Sequence, residues 1–579
     1  MGPEKHRCRR ATVTEPPLIV QTDRTVLLET QHPDYEAARD RLARFAELEK
    51  SPQYVHFYKI TPVSIWNAAA LGERAEDVLD WLARSARFPI VPTVLSQIRE
   101  WFRRYGLLRL TALPDGRLRL HCDDADALQA IGQSTALAEI LAFAEDGTVT
   151  LAAERRGDVK QALVRLGYPV DDRAGYRTGD ALAFALREAE AGARGFRLRD
   201  YQRAAAAAFH AGGSDRGGCG VVVLPCGAGK TVVGIAAMHQ LQTNTLVLTT
   251  NTVAVRQWCR EIVDKSTLTV DQVGEYTGEQ KQIRPVTVAT YQILTHRKGK
   301  LDAFTHLDLF DRGGFGLIVY DEVHLLPAPV FRATAGIQAR RRLGLTATLV
   351  REDGRADEVF SLIGPKRYEL PWKQLERQGF LAPARCVEVR VPFGPERAQR
   401  YAKAGARAQI RIAADNERKD DVVGALLDQH DRDRVLVIGQ YLEQLQHLAT
   451  LFRLPLITGQ TPNGERDRLY AAFRKGELPR LVVSKVGNFA IDLPDANVAI
   501  QVSGTFGSRQ EEAQRLGRVL RPKSDGGPAS FYTLVSADSR EQEFAKKRQL
   551  FLTEQGYAYE IVESGTLCAA AERRREARA

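Results

Sequence analysis

The chain has 579 residues, with 82 Lys+Arg against 72 Asp+Glu and a net charge of +10. Its hydrophobic content of 44% and charged content of 27% are those of a soluble globular protein with room for roughly three to five domains. Seven scattered cysteines form no C-x-x-C pair, which argues against structural zinc, an iron–sulfur cluster and a disulfide framework and fits a reducing, cytoplasmic compartment. The first fourteen residues are basic but lack an apolar core, and no apolar run approaches ~20 residues, so neither export nor membrane insertion is expected. The opening Met-Gly has His6 where a myristoylation signal needs Ser or Thr. The basic balance is compatible with a polyanionic partner.

Residues 1–17 read as a disordered tail. Residues 18–30 alternate around Thr22-Asp23, a hairpin pattern, and 34–49 have helical periodicity before a strand over 54–60. Three helical stretches follow, over 63–71, 76–86 and 93–105. A hairpin over 107–112 and 117–121 turns on Pro114-Asp115-Gly116, and three helices plus a hairpin is the order of a winged helix. The third helix carries Arg99, Arg103 and Arg104, which could lie on a nucleic-acid backbone but better suit a solvated face of a protein-docking domain. Residues 123–194 read as a small α+β segment whose Arg155, Arg156 and Lys160 are expected at the surface.

From residue 195 strands alternate with helices, as βαβ units do. Val221 to Leu224 is a buried parallel strand that breaks into Pro225-Cys226-Gly227-Ala228-Gly229-Lys230-Thr231, a glycine loop opening a helix. Glycines let backbone N–H groups fold round a phosphate; Lys230 would reach the β/γ-phosphates of a nucleoside triphosphate and Thr231 would sit on Mg2+. The first position of the general G-x-x-x-x-G-K-[ST] pattern is Leu224 here. Gln202, about thirty residues upstream, suits either an adenine edge or a helix start. Asn251, Arg256, Gln257 and Trp258 open a helix after the strand 245–249, where such sheets bind ligands, and 274–279 and 288–293 repeat that arrangement. Strand 316–320 ends in Asp321-Glu322-Val323-His324. There Asp321 would hold Mg2+, Glu322 would position or deprotonate the attacking water, and His324 would couple to the polymer side. A further strand runs through Thr346 into Ala347-Thr348, hydroxyls placed to relay nucleotide state, and Arg351-Glu352-Asp353 follows.

A second α/β run begins near residue 434 with strands over 435–438, 481–484, 498–502 and 530–534, and it has no phosphate loop. It carries Gln514, Arg518 and Arg521 on one helical face. Arginines from a second domain would supply charge at the γ-phosphate, an effect worth ~10³–10⁵ in rate, and would tie hydrolysis to cleft closure. Asp492 could contact both nucleotide and polymer. Between the halves Arg397, Arg400, Lys403, Arg407 and Arg411 form a basic stripe, either phosphate-tracking or a charged linker helix.

Taken together, LPCGAGKT, DEVH, LTATL, the RED triplet, DLPDA and QRLGRVLR make the chain resemble superfamily-two helicases of the XPB (xeroderma pigmentosum group B) family, in its compact bacterial form. The family's loop shares the Leu224 departure. PLIVQTDRTVLLE and YVHFYKITP resemble its N-terminal domain, so the resemblance covers nearly the whole chain. It implies an α/β fold with two RecA-like parallel-sheet motor domains in tandem, preceded by an α+β region that is winged-helix-like and then damage-recognition-like. The implied boundaries are a tail over 1–17, an N-terminal domain over 18–122, a damage-recognition-like domain over 123–194 and the first motor domain over 195–370. A connector with the thumb over 371–425, the second motor domain over 426–562 and a basic tail over 563–579 follow. The resemblance also implies an ATP- and Mg2+-dependent 3′–5′ DNA helicase in repair, acting on single-stranded, forked or duplex DNA, with Arg351, Glu352 and Asp353 important for unwinding. Rival readings are a duplex translocase without strand separation, an RNA helicase, and an ATP-gated scaffold that opens DNA for a partner repair nuclease.

Overall fold

The computed structural model describes residues 15–50, 54–144, 147–172, 179–189, 195–213, 217–225, 227–294, 309, 312–323, 341–347, 356–370, 372–380, 383–484, 496–504, 529–554, 557 and 559–576. Two compact units divide the chain, Met1–Tyr105 and Gly106–Ala579.

In the first unit β1 (Leu18–Val20), β2 (Thr25–Glu29), β3 (Glu47–Lys50) and β4 (Val55–Lys59) form an antiparallel sheet in the order β1-β2-β4-β3. The expected hairpin closes at Asp23, whose carboxylate accepts from the Thr25 N–H (3.1 Å) and from Lys59 Nζ (2.7 Å). The Lys59 hydrogen bond, with those from Thr25, draws the Asp23 carboxyl down to about 2. The helix expected over 34–49 stops at Leu42, because Phe45 and Ala46 turn inward and the next residues pair with β4. Helices Pro62–Ala70, Ala75–Ser85 and Pro92–Arg104 follow, the first opened by a reciprocal Thr61–Ser64 cap. On the third, Arg99 bonds Glu76, and Arg103 and Arg104 both bond Glu100. The basic face expected there is therefore neutralised by its own neighbours.

The second unit begins with β5 (Leu108–Ala112), β6 (Leu118–Cys122), β7 (Ala142–Phe143), β8 (Val149–Leu151) and β9 (Val170–Asp172), ordered β7-β8-β6-β5-β9. The hairpin that the sequence places as a wing is thus the centre of a five-stranded sheet, paired with strands that come later in the chain. Arg156 and Lys160, expected at the surface, are instead buried on Asp172. Arg156 Nε lies 2.8 Å and Lys160 Nζ 3.0 Å from its carboxylate, and Arg342, from a later strand of the same unit, lies 3.9 Å away. Arg155 stays exposed beside Asp158.

Among the described residues the remainder of this unit is built on two seven-stranded parallel sheets. The first holds β10 (Cys219–Val223), β11 (Thr245–Thr249), β12 (Val273–Tyr276), β13 (Val286–Thr290), β14 (Leu317–Asp321), β15 (Arg341–Thr346) and β16 (Lys366–Glu369). Its order is β12-β13-β11-β14-β15-β10-β16. The second holds β17 (Ala384–Val391), β18 (Val435–Gly439), β19 (Leu456–Ile457), β20 (Arg480–Ser484), β21 (Val498–Gln501), β22 (Ala529–Ser536) and β23 (Tyr559–Glu563). Its order is β19-β20-β18-β21-β22-β17-β23. These are two RecA-like α/β sheets, and their central strands are buried on both faces, which explains the near-continuous Val, Ile and Leu runs. Strand β17 draws residues 384–391 of the expected connector into the second sheet. Much of the expected basic tail is helix Ser564–Glu576, packed on helix Arg418–Gln429.

The basic stripe is two helices, Pro395–Lys403 and Ala406–Ala414, broken where Ala404 and Gly405 are both extended. Arg397 pairs with Glu417, and Arg411 with Glu443 and Asp415. Arg400, Lys403 and Arg407 are exposed.

Candidate nucleotide site

Strand β10 delivers the chain to the carboxyl edge of the first sheet, where Leu224 N–H donates to the Thr346 carbonyl at 2.9 Å. The loop then turns through Gly227 (φ +82°) and Gly229 (φ +78°), a left-handed conformation that a side chain disfavours. A Cβ on Gly229 would stand 2.6 Å from Gln202 Nε2. Gly229 caps helix Lys230–Leu241, so Lys230 and Thr231 occupy its first turn, where N–H groups and the helix dipole favour an anion.

The loop is buttressed from below. The Ala228 carbonyl accepts from Tyr201 Oη (2.8 Å) and from Gln202 Nε2 (2.9 Å), while Gln202 Oε1 accepts from the Arg199 N–H (3.0 Å). Gln202 is 4% exposed. Gln202 therefore serves the helix start and at the same time holds the loop, with one amide N–H and one lone pair of its oxygen engaged by these two bonds.

Strand β15 lies between β10 and β14, with Val223 opposite Thr346 and Asp321 opposite Leu345. That order brings Lys230 Nζ to 3.3 Å from Glu322 Oε1. The Glu322 backbone adopts φ +52°, an uncommon conformation for a residue with a side chain and one that recurs at functional sites. Asp321 Oδ2 accepts from the Trp258 indole N–H at 2.9 Å, and Tyr291 Oη donates to the Asp321 carbonyl at 2.8 Å. Burial, and after it the Glu322 charge, pushes the Asp321 carboxyl up to about 6, against the opposing pull of Trp258 and Lys230. Thr346 is fully buried beside the loop strand.

The structure therefore assembles Lys230, Asp321 and Glu322, with Thr231 adjacent in sequence to Lys230. A carboxylate and a hydroxyl are hard oxygen donors of the kind Mg2+ takes, usually alongside substrate phosphates, so the residues fit that ion. Ala228 and Pro225 shape the loop: the Ala228 N–H donates to the Pro225 carbonyl at 3.1 Å. Cys226, His324, Thr348, Arg351, Glu352, Asp353, Asp492, Gln514, Arg518 and Arg521 lie outside the described residues. The sequence placed Trp258 at the ligand-binding edge without giving its indole N–H a partner, and it assigned Tyr201 and Tyr291 no role. Trp258 falls at core spacing with Val255 and Ile262, all three buried, so its one polar atom gave no signal. Arg256, on the same helix, pairs with Glu275 (3.5 Å) and Glu279 (2.7 Å). Among the described residues no helix is long and apolar enough to cross a membrane, and no group of three or more His, Cys, Asp or Glu is placed to hold a metal by itself.

Three family models match: a helicase conserved C-terminal domain over 18–146, the res subunit of type III restriction enzymes over 195–351, and the ERCC3/RAD25/XPB C-terminal helicase over 375–576. The DNA 3'-5' helicase XPB of Mycobacterium tuberculosis is 52% identical over 557 residues, covering 96% of this chain and 99% of that one. The protein of the same name from Kineococcus radiotolerans is 52% identical over 555 residues, 95% of this chain and 97% of that one. The general transcription and DNA repair factor IIH helicase/translocase subunit XPB/SSL2 of Saccharomyces cerevisiae is 30% identical over 625 residues, 96% of this chain and 73% of that one.

Proposed function

Because the chain belongs to the XPB family of DNA 3'-5' helicases, we propose that it couples ATP hydrolysis between its two RecA-like domains to 3′–5′ movement on DNA and opening of the duplex, in DNA repair. The observation that carries this reading is the Lys230–Glu322 contact at 3.3 Å. It places the cation that would meet the β/γ-phosphates beside the carboxylate that would orient and deprotonate water.

Loop N–H groups and Lys230 bind the triphosphate. Thr231 and Asp321 would hold Mg2+, which supplies charge neutralisation at the transferred phosphoryl group. ATP would displace Lys230 from Glu322, freeing the carboxylate to take the water proton. Arg518 and Arg521, assigned from sequence, would complete the charge from the second domain. Gln514 and Asp492 would join them at the cleft, while His324, Thr346 and Thr348 would relay nucleotide state. Arg351, Glu352 and Asp353 would act at the strand junction. The exposed Arg400, Lys403 and Arg407 form a phosphate-tracking thumb surface. We place the protein in the cytoplasm, at the chromosome, with a repair nuclease as a partner.

The test is ATP turnover with single-stranded DNA, duplex DNA, RNA and no polymer, alongside strand displacement from a 3′-tailed duplex. Lys230→Ala should abolish turnover, and Glu322→Gln should lower it ~10²–10⁴-fold while ATP still binds. Strong DNA-stimulated turnover without a displaced strand would replace the helicase reading by duplex translocation. Stimulation by RNA over DNA would overturn it. Repair activity retained by Glu322→Gln would instead mark an ATP-gated scaffold.

A further inference from the structure

Trp258 sits on helix Thr252–Lys265 and is 1% exposed, yet it touches both halves of the nucleotide site. Its indole N–H, a donor with no acceptor capacity, meets Asp321 Oδ2 at 2.9 Å from the end of β14. The far edge of the same ring lies against helix Lys230–Leu241. A Cβ built on Gly234 would stand 2.6 Å from Trp258 Cη2, 3.1 Å from Cζ3 and 3.3 Å from Leu345 Cδ1. Gly234 is four residues, one turn, after Lys230 and faces the same side. A glycine inside a helix is unfavourable relative to alanine, so this one has a packing reason: it admits the ring.

A rigid bicycle is thus wedged between the helix that begins at the phosphate loop and the carboxylate that would hold the cation. One end sets the spacing of helix and strand; the other fixes the Asp321 Oδ2 oxygen and with it the plane of the carboxylate. The helix that carries it starts at Asn251, whose side chain caps the Ala254 N–H at 2.9 Å. That cap lies at the carboxyl end of β11, on the ligand-binding edge of the sheet.

We propose that Trp258 is a positioning residue for the cation-binding carboxylate of Asp321, acting as a spacer against Gly234. The inference rests on the reading of Asp321 as the Mg2+ residue. Outer-shell partners of metal-binding groups change metal affinity by ~10–100-fold when they are removed.

The experiment measures the affinity of the full chain for fluorescent ADP in Mg2+ and in EDTA, the ratio reporting Mg2+ linkage without turnover. Trp258→Phe keeps the ring packing and deletes the donor; Gly234→Ala keeps the donor and crowds the ring. Both should shrink the ratio ~10-fold or more, with affinity in EDTA at the wild-type level and little change in melting temperature. Asp321→Asn should abolish the ratio, and adding Trp258→Phe to it should do nothing more. A full ratio in Trp258→Phe, or an equal loss in EDTA, overturns the proposal while Asp321→Asn still upholds the site reading. A full ratio in Asp321→Asn overturns both.

Discussion

Lys419, on helix Arg418–Gln429, is buried among the residues of the second motor domain, with its side chain 1% exposed. Its ammonium meets Glu541 Oε2 at 2.9 Å and Oε1 at 3.2 Å and donates to the Val502 carbonyl at 3.0 Å. Glu541 Oε2 also accepts from the Ser536 N–H at 2.9 Å, and Asn416 Nδ2 reaches Ser536 Oγ at 3.2 Å and the Val391 carbonyl at 3.3 Å. The pair therefore ties together the carboxyl ends of β21 and β22, and Asn416 joins the end of β17 to them. From β21 the chain continues through Ser503 and Gly504 toward Gln514, Arg518 and Arg521. Lys419→Met leaves a buried carboxylate uncompensated and should cost ~3–5 kcal/mol, as should Glu541→Leu for the stranded ammonium. If the two sites were independent, the double variant would cost the sum, ~6–10 kcal/mol. As a coupled pair its loss strands only one carbonyl and one amide, at ~1–3 kcal/mol each, so the double variant should cost ~2–6 kcal/mol. A chain of several domains has no single unfolding free energy, so native-state hydrogen exchange at Val502 and Ala537, whose N–H groups donate to the Ile438 and Val391 carbonyls, is the suitable measure. Additive losses, or a Lys419→Met variant with unchanged protection, would refute the assignment of this pair as the clasp of that edge.

Gly229→Ala should weaken ATP binding roughly tenfold, since strained backbone alone costs ~1–3 kcal/mol and the new Cβ meets Gln202; adding Gln202→Ala should restore part of the loss in an equilibrium titration. Asp172→Asn leaves Arg156, Lys160 and Arg342 without their shared carboxylate and should cost ~3–5 kcal/mol, read as faster exchange of β9 amides. These cations hold the Asp172 carboxyl well below its usual 3.8, so its contribution is complete above 3.8 and disappears as pH falls through the lower folded value. Lys160 runs oppositely: burial pushes it down to about 8, so the cost of its charge fades between 8 and 10.5, and Lys160→Met should destabilise less than Asp172→Asn. Replacing Arg400, Lys403 and Arg407 together by Gln should lower the salt dependence of DNA binding by about 2–3 in the log–log slope, measured by anisotropy across a salt series. An unchanged slope would place those charges off the DNA.

Local chemistry was enough to find the phosphate loop and the acid pair. A buried strand, glycines at turning positions and Lys-Thr at a helix start each dictate backbone shape over a dozen residues, and so does a strand ending in Asp321-Glu322. The hairpin at 108–122 was equally legible, because its register is set by its own turn. Which sheet it joins was not, since pairing with β8 and β9 depends on residues up to fifty positions later. The same limit hid the burial of Arg156 and Lys160. A cationic pattern on a helix reads as solvated until a carboxylate from another strand closes over it. Only the tertiary order β14-β15-β10 could place Lys230 on Glu322 and Trp258 on Asp321, separated by 92 and 63 positions along the chain. Sequence named the groups proposed to carry the chemistry. Distance between them belongs to the fold, because burial and hydrogen bonding join residues that the chain itself keeps far apart.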